Sequence, residues 1–271
     1  MINRKKIRLF WWSEIHLASK KEENYGDLIG RYLVEKISDK KIIWTHPKKR
    51  NFLNHFHTVY FTVGSILSQI NGRCIVWGSG IISKEFKIKK AEFLAVRGPQ
   101  TRKLLIEQGY QVPEIYGDPA LLMPKHYNPE YKIKYNLGII PHYVDYENVM
   151  IQYKGLKDIL VINLMTNNVE EVTDAILSCK KIISSSLHGV IVSHAYQIPA
   201  VWVEFSNKIF GDGIKYQDYF ESVDLAMYKP LFLEGPITND QLEIVFSSSN
   251  ILPKKERIIQ IQKQLMEVCP F

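Results

Sequence analysis

Short β-branched runs alternate with amphipathic stretches along most of the chain. KIRLFWW (6–12) is followed by GDLIGRYLVEKIS (26–38), whose apolar residues recur at helical spacing. KIIW (41–44), HTVYFTVG (57–64) and CIVWGSG (74–80) come next, and EFLAVRG (92–98) leads into PQTRKLLIEQG (99–109). Alternation of this kind predicts a parallel sheet with crossover helices. It breaks at YGDPALLMPKHYNPEYKIKY (116–135), where three prolines fall without periodicity, and resumes with NLGIIPHY (136–143), DILVINL (158–164), NVEEVTDAILSC (168–179), KKIISS (180–185), LHGVIVSHAY (187–196) and PAVWVEF (199–205). The pattern predicts an α/β protein of two Rossmann-like, doubly wound domains facing a cleft, over 1–127 and 128–252. A final helix from 253 to 271 is expected to pack across their junction.

Composition fits that picture and narrows the setting. The 271 residues, 46% of them hydrophobic, suffice for two cores. No stretch reaches the roughly 18 apolar residues needed to span a bilayer, and the first residues lack a long apolar run with a small-residue cleavage site. The expected location is the cytoplasm. Cys74, Cys179 and Cys269 are widely spaced and read as buried thiols, with no disulfide or zinc framework. A net charge of +7 favours an anionic partner: nucleic acid, a phospholipid surface or a phosphorylated metabolite. The run HPKKRNFLNHFH (46–57) is the only local support for nucleic acid and reads as a solvated loop.

In doubly wound folds ligands bind beyond the carboxyl ends of the strands, where loops enter helices, and the candidate chemistry falls there. SSSLHGVIVSHAY (184–196) places serines, His188 and Gly189 between a strand and a helix, the arrangement that offers amides and hydroxyls to a phosphate. His188 can reach such an anion; His194 reads as packing. Arg97 ends a strand ahead of Gly98-Pro99 and is expected to point into the cleft. A loop-capping or acid-paired arginine is the alternative. Asn24 and Asp27 lie at the first strand–helix turn, with Asp27 either a cleft residue or a plain helix cap. Gly78, Ser79 and Gly80 permit close backbone approach of a ligand or simply a tight turn. YGDPALL reads as a buried strand ending in an Asp-Pro turn, and His142 as a turn residue near the cleft. Lys208 and Lys215 follow a strand end, where one lysine would close over phosphate and solvated lysines are the alternative. No carboxylate cluster calls for a metal.

These segments resemble the polysaccharide pyruvyl transferases: E-N-Y-G-D-L, V-R-G-P with T-R-K-L-L behind it, Y-G-D-P-A-L-L, G-I-I-P-H-Y-V-D, and S-S-S-L-H-G followed by I-P-A-V-W-V and Lys208, in order from about residue 23 to about residue 220. The resemblance implies two domains similar to B-type glycosyltransferases, phosphoenolpyruvate as donor, no cofactor, and a sugar diol of an exopolysaccharide or capsular polysaccharide precursor as acceptor, ketalated by pyruvate. It implies that Arg97 and His188 are catalytic and that Arg97, His188 and Lys208 bind the donor. Many members carry arginine just before Leu-His-Gly, where this chain has Ser186; Ser185, Ser186 and Leu187, with the helix amides, are then expected to hold the donor's anionic groups. A lipid-linked acceptor met at an anionic membrane surface, without nucleic acid, completes the expectation. A B-type glycosyltransferase using a nucleotide sugar and a non-catalytic glycan-binding protein, the latter suggested by Trp11-Trp12 and the tyrosines, are the alternatives.

Overall fold

The computed structural model describes residues 6–49, 56–209, 211–247 and 251–271. Its first half contains β1 (Lys6–Phe10), α1 (Glu14–Ala18), β2 (Glu23–Asn24), α2 (Tyr25–Ser38), β3 (Lys41–Trp44), β4 (Val59–Phe61), β5 (Cys74–Trp77), β6 (Glu92–Ala95) and α3 (Pro99–Glu107). A 3-10 turn, Pro119–Leu122, and α4 (Met123–His126) lead into the second half. There β7 (Leu137–Ile140), α5 (Tyr146–Gln152), β8 (Ile159–Val161), β9 (Met165–Thr166), α6 (Val169–Leu177), β10 (Ile182–Ser184), α7 (Leu187–Ala195), β11 (Ala200–Glu204), α8 (Ile214–Ser222), β12 (Leu231–Phe232), α9 (Asn239–Ser247) and α10 (Lys255–Glu267) follow.

Each half is built on a five-stranded parallel sheet, ordered β3-β1-β4-β5-β6 and β12-β11-β10-β7-β8. The all-apolar runs explain this: LGII of β7 and IIS of β10 are buried at every position, as strands covered on both faces must be. The chain is therefore α/β and doubly wound, as the alternating pattern predicts. YGDPALL departs from expectation. It forms no strand beyond a bridge from Tyr116 to Val96, because Asp118 accepts a hydrogen bond from the Ala120 amide at 2.9 Å and, with Pro119 behind it, starts the 3-10 turn.

The halves share a core. Tyr25, Leu33 and Trp77 from the first pack in one cluster with Ile140, Ile191 and Trp202 from the second and with Ile258, Ile261 and Leu265 of α10. A second seam is the antiparallel pair β2–β9, with Glu23 opposite Thr166. Helix α10 touches both sides: the Trp77 indole donates to the Leu265 carbonyl at 2.8 Å, and the Arg257 guanidinium donates to the Ser222 carbonyl at 2.8 Å. Among the described residues no helix is long and apolar enough to cross a membrane. The basic run at 46–57 includes residues 50–55 and so lies partly outside the described residues.

Candidate functional site

A cavity of about 510 Å³ opens over the carboxyl ends of both sheets. From the first half come Trp12 after β1, Ser65 after β4, Ile82 and Phe86 after β5, and Asn24 and Asp27 at the start of α2. From the second come His142 after β7, Ser186, Leu187 and His188 at the start of α7, Lys208 after β11, and Lys215 in the first turn of α8. Strand order puts these loops together, since every parallel strand delivers its carboxyl end to the same rim.

The three serines do different work. Ser184 Oγ accepts from the Ser186 amide at 3.0 Å and lies 2.9 Å from the Ile140 carbonyl. A Cβ on Gly189 would stand 2.4 Å from that hydroxyl, so serine and glycine are one packing solution. Ser185 is wholly buried: its hydroxyl accepts from the His142 amide at 2.8 Å and its carbonyl accepts from Tyr216 Oη at 2.8 Å. The expectation that Ser185 binds donor is thus corrected; it fixes two neighbouring loops instead. Ser186 occupies the N-cap of α7, yet its side chain makes no capping bond and lines the cavity. One serine hydroxyl and the first-turn amides of α7 are left for a ligand.

His188 projects from that first turn with 13% of its side chain exposed. Its ring lies over Gly26: a Cβ there would be 2.1 Å from Nδ1 and 2.6 Å from Cγ. On the other side Nε2 is 3.6 Å from Oδ2 of Asp118, a residue with no exposed surface. Asp27, one residue beyond Gly26, is pushed up to about 7, mainly by burial, with Glu14 and Glu23 adding to the rise and His188 and Lys215 opposing it.

Two lysines supply positive charge. Lys208 is exposed at the rim. Lys215 is held inward because the next residue, Tyr216, stacks on Trp202 with ring centres 3.9 Å apart. Its ammonium makes no ion pair among the described residues. Burial, helped by the charge of Arg97, brings it down to about 8, against the opposing pull of Asp27. His142 is lowered to about 4 by burial and by Lys215 and Lys20, so it is neutral at pH 7.

Several expected cleft residues face elsewhere. Arg97 has no exposed surface; Nε pairs with Asp218 at 3.0 Å, Nη1 donates to Ser65 Oγ at 2.5 Å and Nη2 donates to the Ile81 carbonyl at 2.7 Å. It is the acid-paired arginine, behind the cavity wall, and it acts on the site through Ser65 and through its field. Gly98 serves the same junction, since a Cβ there would meet the Asp218 carbonyl at 1.8 Å. Gly78, Ser79 and Gly80 are absent from the cavity lining as well. A Cβ on Gly78 would meet Pro119 at 2.3 Å and one on Gly80 would meet the Arg97 guanidinium at 2.4 Å, while Ser79 Oγ donates to the Thr62 carbonyl at 2.7 Å. These residues are small to admit protein, not ligand. Asn24 is the cap of α2, accepting from the Gly26 amide at 3.0 Å while still lining the cavity; Asp27 is free of capping duty. Asp118, expected only as part of an Asp-Pro turn, faces His188, and Lys215 lines the cavity. No group of three or more metal-ligating side chains is gathered among the described residues.

The polysaccharide pyruvyl transferase model matches residues 24–207, a span that includes Asn24, Asp27, Asp118, His142, Ser186 and His188. The protein called "Uncharacterized protein L143" of Acanthamoeba polyphaga mimivirus is 34% identical over 218 residues, which is 77% of this chain and 75% of that one. A solved structure of a variant of the wall teichoic acid polymerase TagF is 12% identical, covering 97% of this chain and 83% of its own, with a TM-score of 0.42. The matched span begins on the cap of α2 and runs past the serine-lined start of α7, two of the helix starts that line this cavity; the chain belongs to the polysaccharide pyruvyl transferase family.

Proposed function

We propose that the protein transfers the pyruvyl group of phosphoenolpyruvate to two hydroxyls of one sugar in a cell-surface polysaccharide precursor, forming a cyclic ketal and releasing phosphate. The observation that carries this reading is one cavity whose lining brings the open end of α7 and the Ser186 hydroxyl together with His188, Asp27 and Lys215, an ammonium with no ion pair among the described residues. The donor's carboxylate and phosphate need fixed cations and amides, and Lys208, Lys215 and α7 supply them where many relatives would use an arginine before Leu-His-Gly. His188 gives a proton to the donor's methylene carbon. The first sugar hydroxyl adds to the neighbouring carbon as Asp27 takes its proton. Phosphate then leaves, accepting the proton held by Asp27, while the second hydroxyl closes the ring and returns a proton to His188. No cofactor enters this chemistry.

The cavity is much larger than a three-carbon phosphate requires, and Trp12, 42% exposed, and Phe86, 39% exposed, offer apolar faces to a sugar ring at its mouth. A second cavity, about 780 Å³, is lined by Arg73, Lys87, Lys89 and Lys90, which supports peripheral contact with anionic lipid carrying the acceptor. The test is phosphate release from phosphoenolpyruvate, dependent on a glycan acceptor, with mass spectrometry of the product. Gain of pyruvate less water on the glycan supports the reading. Transfer of sugar from a nucleotide sugar, with phosphoenolpyruvate inert, overturns it.

A further inference from the structure

The structure assigns Asp118 as the positioning residue for His188 and Nδ1 as the ring nitrogen that meets the reactants. Oδ2 of Asp118 and Nε2 of His188 are both buried, both lack a hydrogen-bond partner, and face each other at 3.6 Å. Buried polar atoms without partners are rare in folded proteins, and two of them aimed at one another form a pair just beyond hydrogen-bond length. Asp118 is not free to turn away. Its Oδ1 accepts the Ala120 amide at 2.9 Å, Pro119 follows it in the chain, and the turn it starts is packed against α7. The second carboxylate oxygen is therefore presented to His188 by a fixed turn.

The other edge of the ring is the working one. Nδ1 lies on the Gly26 side and makes no hydrogen bond among the described residues, and His188 lines the cavity, whereas Nε2 is fully buried. An aspartate facing Nε2 favours a proton on that nitrogen in the neutral ring. The Nδ1 proton then goes to the donor's methylene carbon, forming a C–H bond. The Nε2 proton stays between His188 and Asp118, and Asp118 gains none. This rests on the pyruvyl-transfer reading for its reactants, but the pairing itself is a property of the free protein.

Two measurements test it. In histidine labelled with ¹⁵N, the His188 resonances, identified by their loss in His188→Gln, should report a proton on Nε2 in the neutral ring. In turnover, Asp118→Asn keeps an oxygen for the Ala120 amide and removes the charge. It should lower kcat by about 10²-fold or more and leave donor KM nearly unchanged. Glu14, Asp27, His142, Tyr143, Lys208 and Lys215, the other titratable groups that line the cavity, are the same in both proteins. Parent protein with its neutral-ring proton on Nδ1, or an Asp118→Asn enzyme with unchanged kcat, overturns the assignment. An Asp118→Asn protein that fails to fold leaves the parent's tautomer as the deciding result. A proton on Nε2 in a protein inert toward phosphoenolpyruvate supports the pairing and defeats the reaction.

Discussion

His188 rests its imidazole on Gly26, so closely that a methyl group at residue 26 would stand 2.1 Å from Nδ1, 2.6 Å from Cγ and 2.9 Å from Cβ of the histidine. Gly26 lies in the first turn of α2, where alanine would by itself favour the helix by about 0.5–1 kcal/mol. Gly26→Ala should therefore fold and yet displace the ring. Because misplacing a reacting group by about 1 Å can cost about 10²-fold, kcat should fall on that scale with a thermal midpoint near that of the parent. Phosphate-release kinetics beside thermal melts check this, and a well-folded Gly26→Ala enzyme with parental turnover would mean that the ring does not work from this position.

Arg97 and Asp218 form a fully buried pair between the loop after β6 and helix α8. Asp218 also accepts from the Thr101 amide at 2.8 Å and from Thr101 Oγ1 at 2.6 Å. Removing one partner of a buried pair leaves the other charge uncompensated, at about 3–5 kcal/mol. Arg97→Ala should lose stability of that order in urea unfolding. Arg97→Met combined with Asp218→Leu should regain much of it. A stable Arg97→Ala protein with weakened donor binding would instead put the guanidinium in the donor site.

The sheets and most helices were legible because parallel strands and their crossovers leave local signatures, such as LGII and KKIISS for covered strands; the cap of α2 is Asn24 and not Asp27, two residue types that cap equally well. The start of α7 was legible too, since phosphate-binding turns are local. Arg97 was not, because its direction depends on Asp218, which lies 121 residues away. Asp118 satisfied a local rule, the Asp-Pro turn, and that explanation concealed the second oxygen left over for His188. Which of Lys208 and Lys215 turns inward was not legible either, because it depends on Tyr216 of α8 stacking on Trp202 of β11.

Asp27 stands near 7 in the folded chain, raised chiefly by burial, and near 3.9 unfolded. Between about pH 4 and pH 7 the folded state thus holds a proton that the unfolded state has released. Stability contributed by this group falls as pH rises through that window and levels off above it. Asn at 27 should remove this fall, so Asp27→Asn is expected to be more stable than the parent at pH 8. Its kcat should drop by about 10²–10⁴-fold, as for loss of a general base. Parental activity should climb through pH 7 as the carboxylate forms. Urea titrations across pH 4–8 with matched rate profiles measure both, and a destabilised Asp27→Asn enzyme that keeps the climb in activity contradicts the assignment.

Lys215 combines the two arguments with opposite sign. Burial and the field of Arg97 bring it to about 8 in the folded state, against about 10.4 unfolded. Between those values the unfolded chain binds more protons, so stability rises with pH across the window, and at pH 7 the buried ammonium is a cost to folding. Lys215→Met should accordingly raise the thermal midpoint at pH 7. The same change removes the inward cation of the proposed donor site, and losing a hydrogen bond to a charged group, about 1.5–3 kcal/mol, should weaken phosphoenolpyruvate binding by about 10–100-fold. In the parent, donor affinity should decline above about pH 8 as the ammonium deprotonates, and binding near that pH should take up a proton, which calorimetry in buffers of different ionisation enthalpy detects. Both effects should vanish in Lys215→Met and persist in Lys208→Met, whose ammonium lies exposed at the rim. A Lys215→Met protein that melts earlier than the parent while binding donor equally well would show that the lysine supports the fold rather than the ligand.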